Sequence, residues 1–258
     1  MPNKNPFDIL RSVASQYPKD LVAGQVRDIP RIAFHMGLVL DGAQHKPPSD
    51  LVLCDLGGGI GLFSVGCAAY GIKRTVLVDD FDDQVNYLTG SSILDLHRSL
   101  GVEVFARDVV KCGICDIAGT FDVITSFDSM EHWHNSPKRL FHEVVKKLNP
   151  GGLFVLGVPN CVNMRKRITV PFGIGKWSRF EEWYDEDKFR GHVREPDVSD
   201  LLHIATDMGL TDIKIHGRNW LGNQSENRMI RLGTSFADLF LRLRPSFCSD
   251  IYLVGRKS

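Results

Sequence analysis

The sequence predicts an α/β fold organised around one largely parallel sheet, and three observations lead there. From Asp50 onward, short apolar runs alternate with helical stretches. The runs are short, mainly apolar and bounded by turns, as expected of strands buried on both faces, with the intervening helices as βαβ crossovers. A glycine-rich turn at Gly57-Gly58-Gly59-Ile60-Gly61 closes the first run and opens a helical stretch, the place where such folds bring backbone against a ligand.

Taken in order, residues 1–48 read as a helical preamble. Ile29 to Leu40 places apolar residues on one helical face, Asp41-Gly42 stops it, and Lys46-Pro47-Pro48-Ser49 is a linker. Five strands follow at Leu51–Leu53, Thr75–Val78, Val102–Phe105, Phe121–Thr125 and Leu153–Val158. The clearest helix is Pro137–Leu148. Ser136 is its expected cap, Pro137 suits its first turn, and Leu140, Phe141, Val144, Val145 and Leu148 form one stripe. Asn149-Pro150-Gly151-Gly152 ends it and leads into the fifth strand. A helix over Pro196–Met208 stops at Gly209, and another surrounds Thr234–Leu243. Strands at Asp212–Ile215 and Ile251–Val254 complete a count of seven.

Between the fifth strand and Pro196 the alternation breaks. Residues 161–190 hold Arg165-Lys166-Arg167 and then Phe172, Trp177, Phe180, Trp183, Tyr184 and Phe189. This insertion reads either as a lid over a binding site or as a packed surface flap. The whole chain is expected to be a single domain, with residues 1–48 as an N-terminal cap.

Composition narrows the classes. Lys plus Arg and Asp plus Glu are 31 each, so there is no basic footprint of a dedicated nucleic-acid binder. No apolar run reaches the roughly 20 residues that span a bilayer, and Met1 to Tyr17 lacks a secretory pattern. Six scattered cysteines, Cys54, Cys67, Cys112, Cys115, Cys161 and Cys248, suit reduced thiols in the cytoplasm. Cys112 and Cys115 form the one close pair; a zinc site there needs two further ligands.

The glycine turn sits in Val52-Leu53-Cys54-Asp55-Leu56-Gly57-Gly58-Gly59-Ile60-Gly61-Leu62-Phe63-Ser64. Gly59, Gly61 and Ser64 narrowly miss a dinucleotide fingerprint. Asp55 at the strand end favours a cationic ligand bearing an amino group and a sulfonium, and it disfavours a pyrophosphate. Asp79-Asp80 ends the second strand at the spacing of a ribose-binding acid, with Asp79 the better placed. The alternative is that one of the pair caps the next helix.

These residues resemble the class I S-adenosylmethionine (SAM) dependent methyltransferases, through the Asp-x-Gly-x-Gly-x-Gly pattern and the acidic end of strand two. Arg107-Asp108-Val109 is similar to the family's adenine-contacting segment. Residues 121–133, including Phe127, Glu131 and His132, resemble its fourth strand and following turn. Residues 147–153 are like its approach to strand five, and residues 191–195 with the Leu201–Gly209 helix are like a later segment of small-molecule and sugar methyltransferases. The likeness covers roughly residues 50–160 and 190–256. It implies a Rossmann-like seven-stranded mixed sheet, last strand antiparallel, with helices on both faces. It also implies SAM bound by Asp55, Gly57, Gly59, Gly61, Asp79, Asp80, Asp108, Val109 and Phe127.

Methyl transfer needs an aligned acceptor, a dry site and, for a hydroxyl, a proton acceptor. His132 is the expected base, with Glu131 orienting it or facing the acceptor; alternatively both hold the loop by hydrogen bonds. His134 is the weaker candidate. Asp128, Glu131 and His132, with His192 completing the set, also suit one divalent metal. That pattern is similar to the Glu-x-x-Glu-His of small-RNA 2′-O-methyltransferases and quinone-ring O-methyltransferases, with the shorter Asp128 in place of the first Glu. Otherwise His192 and Arg194 fix the lid base or touch the acceptor. Arg165, Lys166, Arg167 and Lys176 meet a phosphate or are solvated. The expected acceptor is a hydroxyl of a small metabolite or glycan. RNA or protein methylation, N- or C-methylation, an NAD-binding oxidoreductase and a silent methyltransferase-like binding protein are the alternatives. A homodimer through the late helix and last strand is compatible with the pattern.

Overall fold

The computed structural model describes residues 5–82, 93–175, 178, 180–223, 225 and 227–258. Seven strands form one sheet: β1 (Val52–Leu56), β2 (Arg74–Asp79), β3 (Val102–Ala106), β4 (Phe121–Phe127), β5 (Leu148–Pro159), β6 (Leu210–Arg218) and β7 (Asp250–Lys257). Their spatial order is β3-β2-β1-β4-β5-β7-β6. Neighbours from β3 through β5 pair parallel, and β7 runs antiparallel to both β5 and β6. All seven expected strands form, and the last is the antiparallel one.

Successive residues of the central strands feed two different cores, because side chains alternate across a sheet. Leu53, Leu77, Val123, Leu153 and Val155 pack with the helices Pro6–Ala14, Lys19–Gly42 and Leu62–Tyr70. Cys54, Val76, Val78, Ile124, Phe154 and Leu156 face the helices Lys138–Lys147 and Val198–Asp207. Both faces being covered explains why these strands read as mainly apolar runs.

Several boundaries differ from expectation. The preamble helix begins at Lys19, ten residues before Ile29, and carries Pro30 inside it. Its buried residues, Ile29, Ile32, Ala33, His35, Met36 and Val39, begin only at its eleventh position, so the first ten residues leave no buried stripe to read. Ser136 is not the cap of the following helix. Pro137 occupies the N-cap position without a side-chain bond, and Ser136 Oγ accepts only a long 3.4 Å contact from the Lys138 N–H. Asn149 to Gly152 do not precede β5 but lie within it. The register shifts between Phe121 and Val123 while Gly151 takes φ +72°, a bulge that only a residue tolerant of left-handed backbone accommodates readily. The Val198–Asp207 helix begins with a capping box between Asp197 and Asp200. The late helix spans Arg228–Arg242.

The insertion after β5 forms short helices at Met164–Thr169 and Phe180–Tyr184, with Phe172, Phe180, Trp183 and Tyr184 exposed. Lys176 and Trp177 lie outside the described residues. The six cysteines are free, and Cys112 and Cys115 join no cluster of metal-ligating spacing among the described residues. No described helix is long and apolar enough to cross a membrane.

Candidate active site

The carboxyl ends of β1, β2, β3 and β4 open onto one cavity of about 720 Å³, at the crevice where the strand order reverses between β1 and β4. Its floor is the glycine turn. Gly57 and Gly59 have φ +71° and +55°. A Cβ on Gly57 would stand 1.8 Å from Ser129 Oγ, and one on Gly58 would stand 2.0 Å from Asp55 Oδ2. The loop therefore lies flat against its own strand and against the turn after β4, and no larger residue fits at Gly57 or Gly58.

Asp55 supports this loop from beneath. It is 1% exposed, and its two oxygens accept from Ser64 Oγ at 2.7 Å and Thr125 Oγ1 at 2.8 Å. Burial pushes its carboxyl up to about 6, and the two hydroxyl donors oppose that rise. Asp79 ties β2 to the loop, accepting the Gly59 N–H at 2.9 Å and the Phe81 N–H at 2.6 Å. Asp80 is exposed and accepts the Asp82 N–H at 3.1 Å. The alternative reading of this pair, a cap on the next helix, falls in part on residues 83–92, outside the described residues. Asp108 caps the one-turn helix Val109–Cys112 through the N–H groups of Val110 and Lys111. Val109 is buried, and Phe127 stacks face to face with His35 at 4.0 Å. All nine residues expected to bind SAM line the cavity.

One wall comes from the preamble, and the local sequence gives no sign of it. Gln25, Asp28, Arg31, Ile32 and His35 of the helix Lys19–Gly42 face the cavity. Arg31 bonds Asp128 at 2.5 Å and Asp28 at 2.8 Å. Tyr17, at the turn before that helix, is buried and donates its hydroxyl to the carbonyls of Ile60 and Gly61 at 2.9 and 3.2 Å.

At the far end stand Glu131, His132 and His192. His132 lines the cavity, and its Nδ1 lies 2.9 Å from the Arg190 carbonyl. A carbonyl oxygen only accepts, so Nδ1 carries the proton and Nε2 keeps its lone pair. Burial first, then the neighbouring His192, hold the His132 imidazole below its ordinary range. His192 Nδ1 lies 2.7 Å from Glu195 Oε1, and Lys166 pairs with the same carboxylate. Glu131 sits behind the cavity lining at 1% exposure, with Oε2 lacking any hydrogen-bond partner. Burial, and next the charge of Asp128, push its carboxyl well up. Its backbone carbonyl accepts from Val193 and Arg194 N–H at 2.7 and 3.2 Å, which locks the two segments together. One ligand atom from each of Glu131, His132 and His192 lies within 4.8 Å of the others. Asp128 is not part of that group. Its turn has φ +49° and its carboxylate is bonded to Arg31.

The cavity suits a cationic nucleoside ligand on these observations. Seven aspartates line it against two arginines and two lysines, a balance favourable to a sulfonium and an amino group and hostile to a pyrophosphate. At Gly57 and Gly58 a Cβ would collide with Ser129 and Asp55, so the floor presents bare backbone there.

Comparison with known proteins agrees. A family model described as methyltransferase domain matches residues 35–215. No curated protein matches the chain by sequence. Among solved structures, a SAM-dependent methyltransferase from Thermotoga maritima is similar at 14% identity and TM-score 0.54, over 98% of this chain and 100% of that one. Magnesium protoporphyrin IX methyltransferase from Synechocystis PCC 6803 with bound S-adenosylhomocysteine (SAH) is similar at 15% identity and TM-score 0.53, over 99% and 96%. Phosphoethanolamine N-methyltransferase 2 of Haemonchus contortus is similar at 15% identity and TM-score 0.53, over 87% of this chain and 52% of that one. With the matched model covering most of the sheet and its glycine turn, the chain belongs to the methyltransferase-domain family and is a SAM-dependent methyltransferase of class I.

Proposed function

We propose that this enzyme methylates a hydroxyl of a small metabolite or glycan, with His132 receiving the hydroxyl proton. The observation that carries this reading is the fixed His132 tautomer. The Arg190 carbonyl occupies Nδ1, so the lone pair of Nε2 is the basic one, on a residue of the cavity wall. SAM, when bound, supplies the methyl group on a good leaving group, so the protein's remaining tasks are to align the acceptor, exclude water and take the proton. In this reading Asp79 and Asp80 hold the ribose, Asp108 and Val109 meet the adenine, and Phe127 packs beneath. Asp55, Gly57, Gly59 and Gly61 shape the floor.

The insertion serves as the lid. Lys188, Phe189 and Arg190 line the cavity, and Lys188 and Arg190 both pair with Asp82 beyond β2. These contacts tie the end of the insertion to the cavity rim. His132→Gln should leave the thermal shift given by SAM unchanged while slowing turnover by roughly 10²- to 10⁴-fold. Loss of SAM binding in that variant would refute the assignment.

A second reading has its own observation. Glu131 keeps an unpartnered buried oxygen, and both histidines have Nδ1 set against an oxygen, as metal-ligating imidazoles commonly do. If these three residues hold a divalent cation, chelation abolishes turnover and Co²⁺ gives a visible spectrum that His192→Ala removes. His132 is then a ligand and not the base. Turnover that survives exhaustive chelation decides for the base.

A further inference from the structure

The helix Arg228–Arg242 carries an apolar face that the described residues leave uncovered. Met229, Leu232, Phe236, Leu239, Phe240 and, just past its end, Leu243 are between 56% and 83% exposed. Steps of three and four residues put all six on one stripe. A contiguous stripe of this kind marks an interaction surface.

The flanking charge selects the occupant. Arg228, Arg231, Arg242 and Arg244 are exposed. The one acid of this stretch, Asp238, is buried and ion-paired with Arg242. A hollow of about 480 Å³ is bounded by Arg228, Arg231, Leu232, Ser235 and Asp238, so two guanidinium-bearing residues border a space beside the stripe. The same surface continues into the insertion, because Arg167 and Arg244 both pack on the Phe247 ring, at 5.2 and 5.9 Å. Ile168, which follows Arg167, and Phe172, further along the insertion, are exposed. The helix Phe180–Tyr184 also shows aromatic rings, but Glu181 and Glu182 give it the opposite sign, and it is not part of this face.

We propose that this face seats the protein on an anionic phospholipid surface, the apolar stripe entering the boundary between headgroups and acyl chains while the arginines meet lipid phosphates. An amphipathic helix with arginines beside its apolar face is suited to lie in that plane without spanning the bilayer, and no described helix spans one. A second copy packed on the same stripe would add four like charges to each side with a single, already paired acid between them.

The inference stands apart from the choice of acceptor and is tested by co-sedimenting the 258-residue chain with vesicles. Phosphatidylcholine vesicles containing phosphatidylglycerol should pull it down at low salt, pure phosphatidylcholine should do so weakly, and salt should weaken both the binding and the preference. Phe236→Ser with Phe240→Ser, and separately Arg228→Gln with Arg231→Gln, should each lower the affinity by roughly tenfold. Unchanged melting and an unchanged SAM thermal shift would show both variants folded. No sedimentation with phosphatidylglycerol vesicles overturns the proposal, as does undiminished binding by both variants. It is equally overturned by a solution dimer that Phe236→Ser with Phe240→Ser dissociates while the wild type ignores vesicles.

Discussion

Gly57 shows how much of the site rests on single atoms. With φ +71° and the space beyond its Cα held by Ser129 Oγ, Gly57→Ala meets both strain and collision. Ser129 cannot swing away without losing the bond it accepts from Trp133 Nε1 at 3.1 Å. The variant should lose roughly tenfold or more in SAM affinity, about 1–3 kcal/mol of backbone strain and displacement, read by calorimetry; wild-type affinity would show that the loop relaxes. Tyr17→Phe removes the hydroxyl that holds the Ile60 and Gly61 carbonyls and should cost about 1 kcal/mol of stability in denaturant melts. These two residues also divide what the sequence reveals from what it hides. Gly57, Asp55, Gly59, Gly61 and Asp79 were legible because one strand-turn-helix unit and the next strand end place them within a short pattern. Tyr17 and Arg31 were not, because their partners lie 43 and 97 residues away and nothing local records the contact. Asp55 was legible as a carboxylate at the strand end, but not its burial beneath the loop, which depends on Ser64 and on Thr125 from a different strand.

At the scale of elements, the inner strands β1, β2, β4 and β7 were readable because they are buried on both faces, whereas the edge strands β3 and β6 are only partly buried. Helix ends were harder, since they depend on tertiary contact. The first ten residues of the helix Lys19–Gly42 bury none of their side chains, so no periodicity announces them, yet Gln25 and Asp28 there line the cavity. The bulge at Gly151 leaves no distinct mark in the sequence, because Asn149-Pro150-Gly151-Gly152 carries the same turn residues that would end a helix outside a sheet. The helix Lys19–Gly42 is pinned to the turn after β4 through Arg31 and Asp128, whose side chains are 26% and 28% exposed. Arg31→Gln removes the partner of a mostly enclosed carboxylate and should destabilise the protein by about 2–3 kcal/mol. The loss should reach the cavity as well, because the freed helix is one of its walls. A variant with full stability and full SAM affinity would show that the pair is incidental. Ser136→Ala, by contrast, should shift stability by less than about 0.5 kcal/mol, since the 3.4 Å contact is too long to act as a cap.

For the molecule as a whole, the buried acid under the glycine floor links folding, pH and cofactor choice. Burial raises the Asp55 carboxyl from 3.8 to about 6, so between those values the folded chain holds a proton that the unfolded chain has released. Stability from this group is therefore greatest below its unfolded value and falls as pH rises towards 6, by about 3 kcal/mol when ionisation is complete. Asp250, likewise raised to about 6 by burial, adds to the same slope. Asp55→Asn should flatten part of it, and a slope unchanged in that variant would place its origin elsewhere. The ligand reads the same titration in reverse. A sulfonium over the loop favours the ionised carboxylate, whereas the uncharged sulfur of SAH does not. The preference for SAM over SAH should accordingly widen as pH rises from 5 to 7, by roughly threefold or more, and Asp55→Asn should abolish the widening. Thermal shifts with each ligand across that range measure it directly. A SAM to SAH ratio independent of pH would mean that the Asp55 charge does not reach the sulfur, and that the acid serves only to hold Ser64, Thr125 and the loop in place.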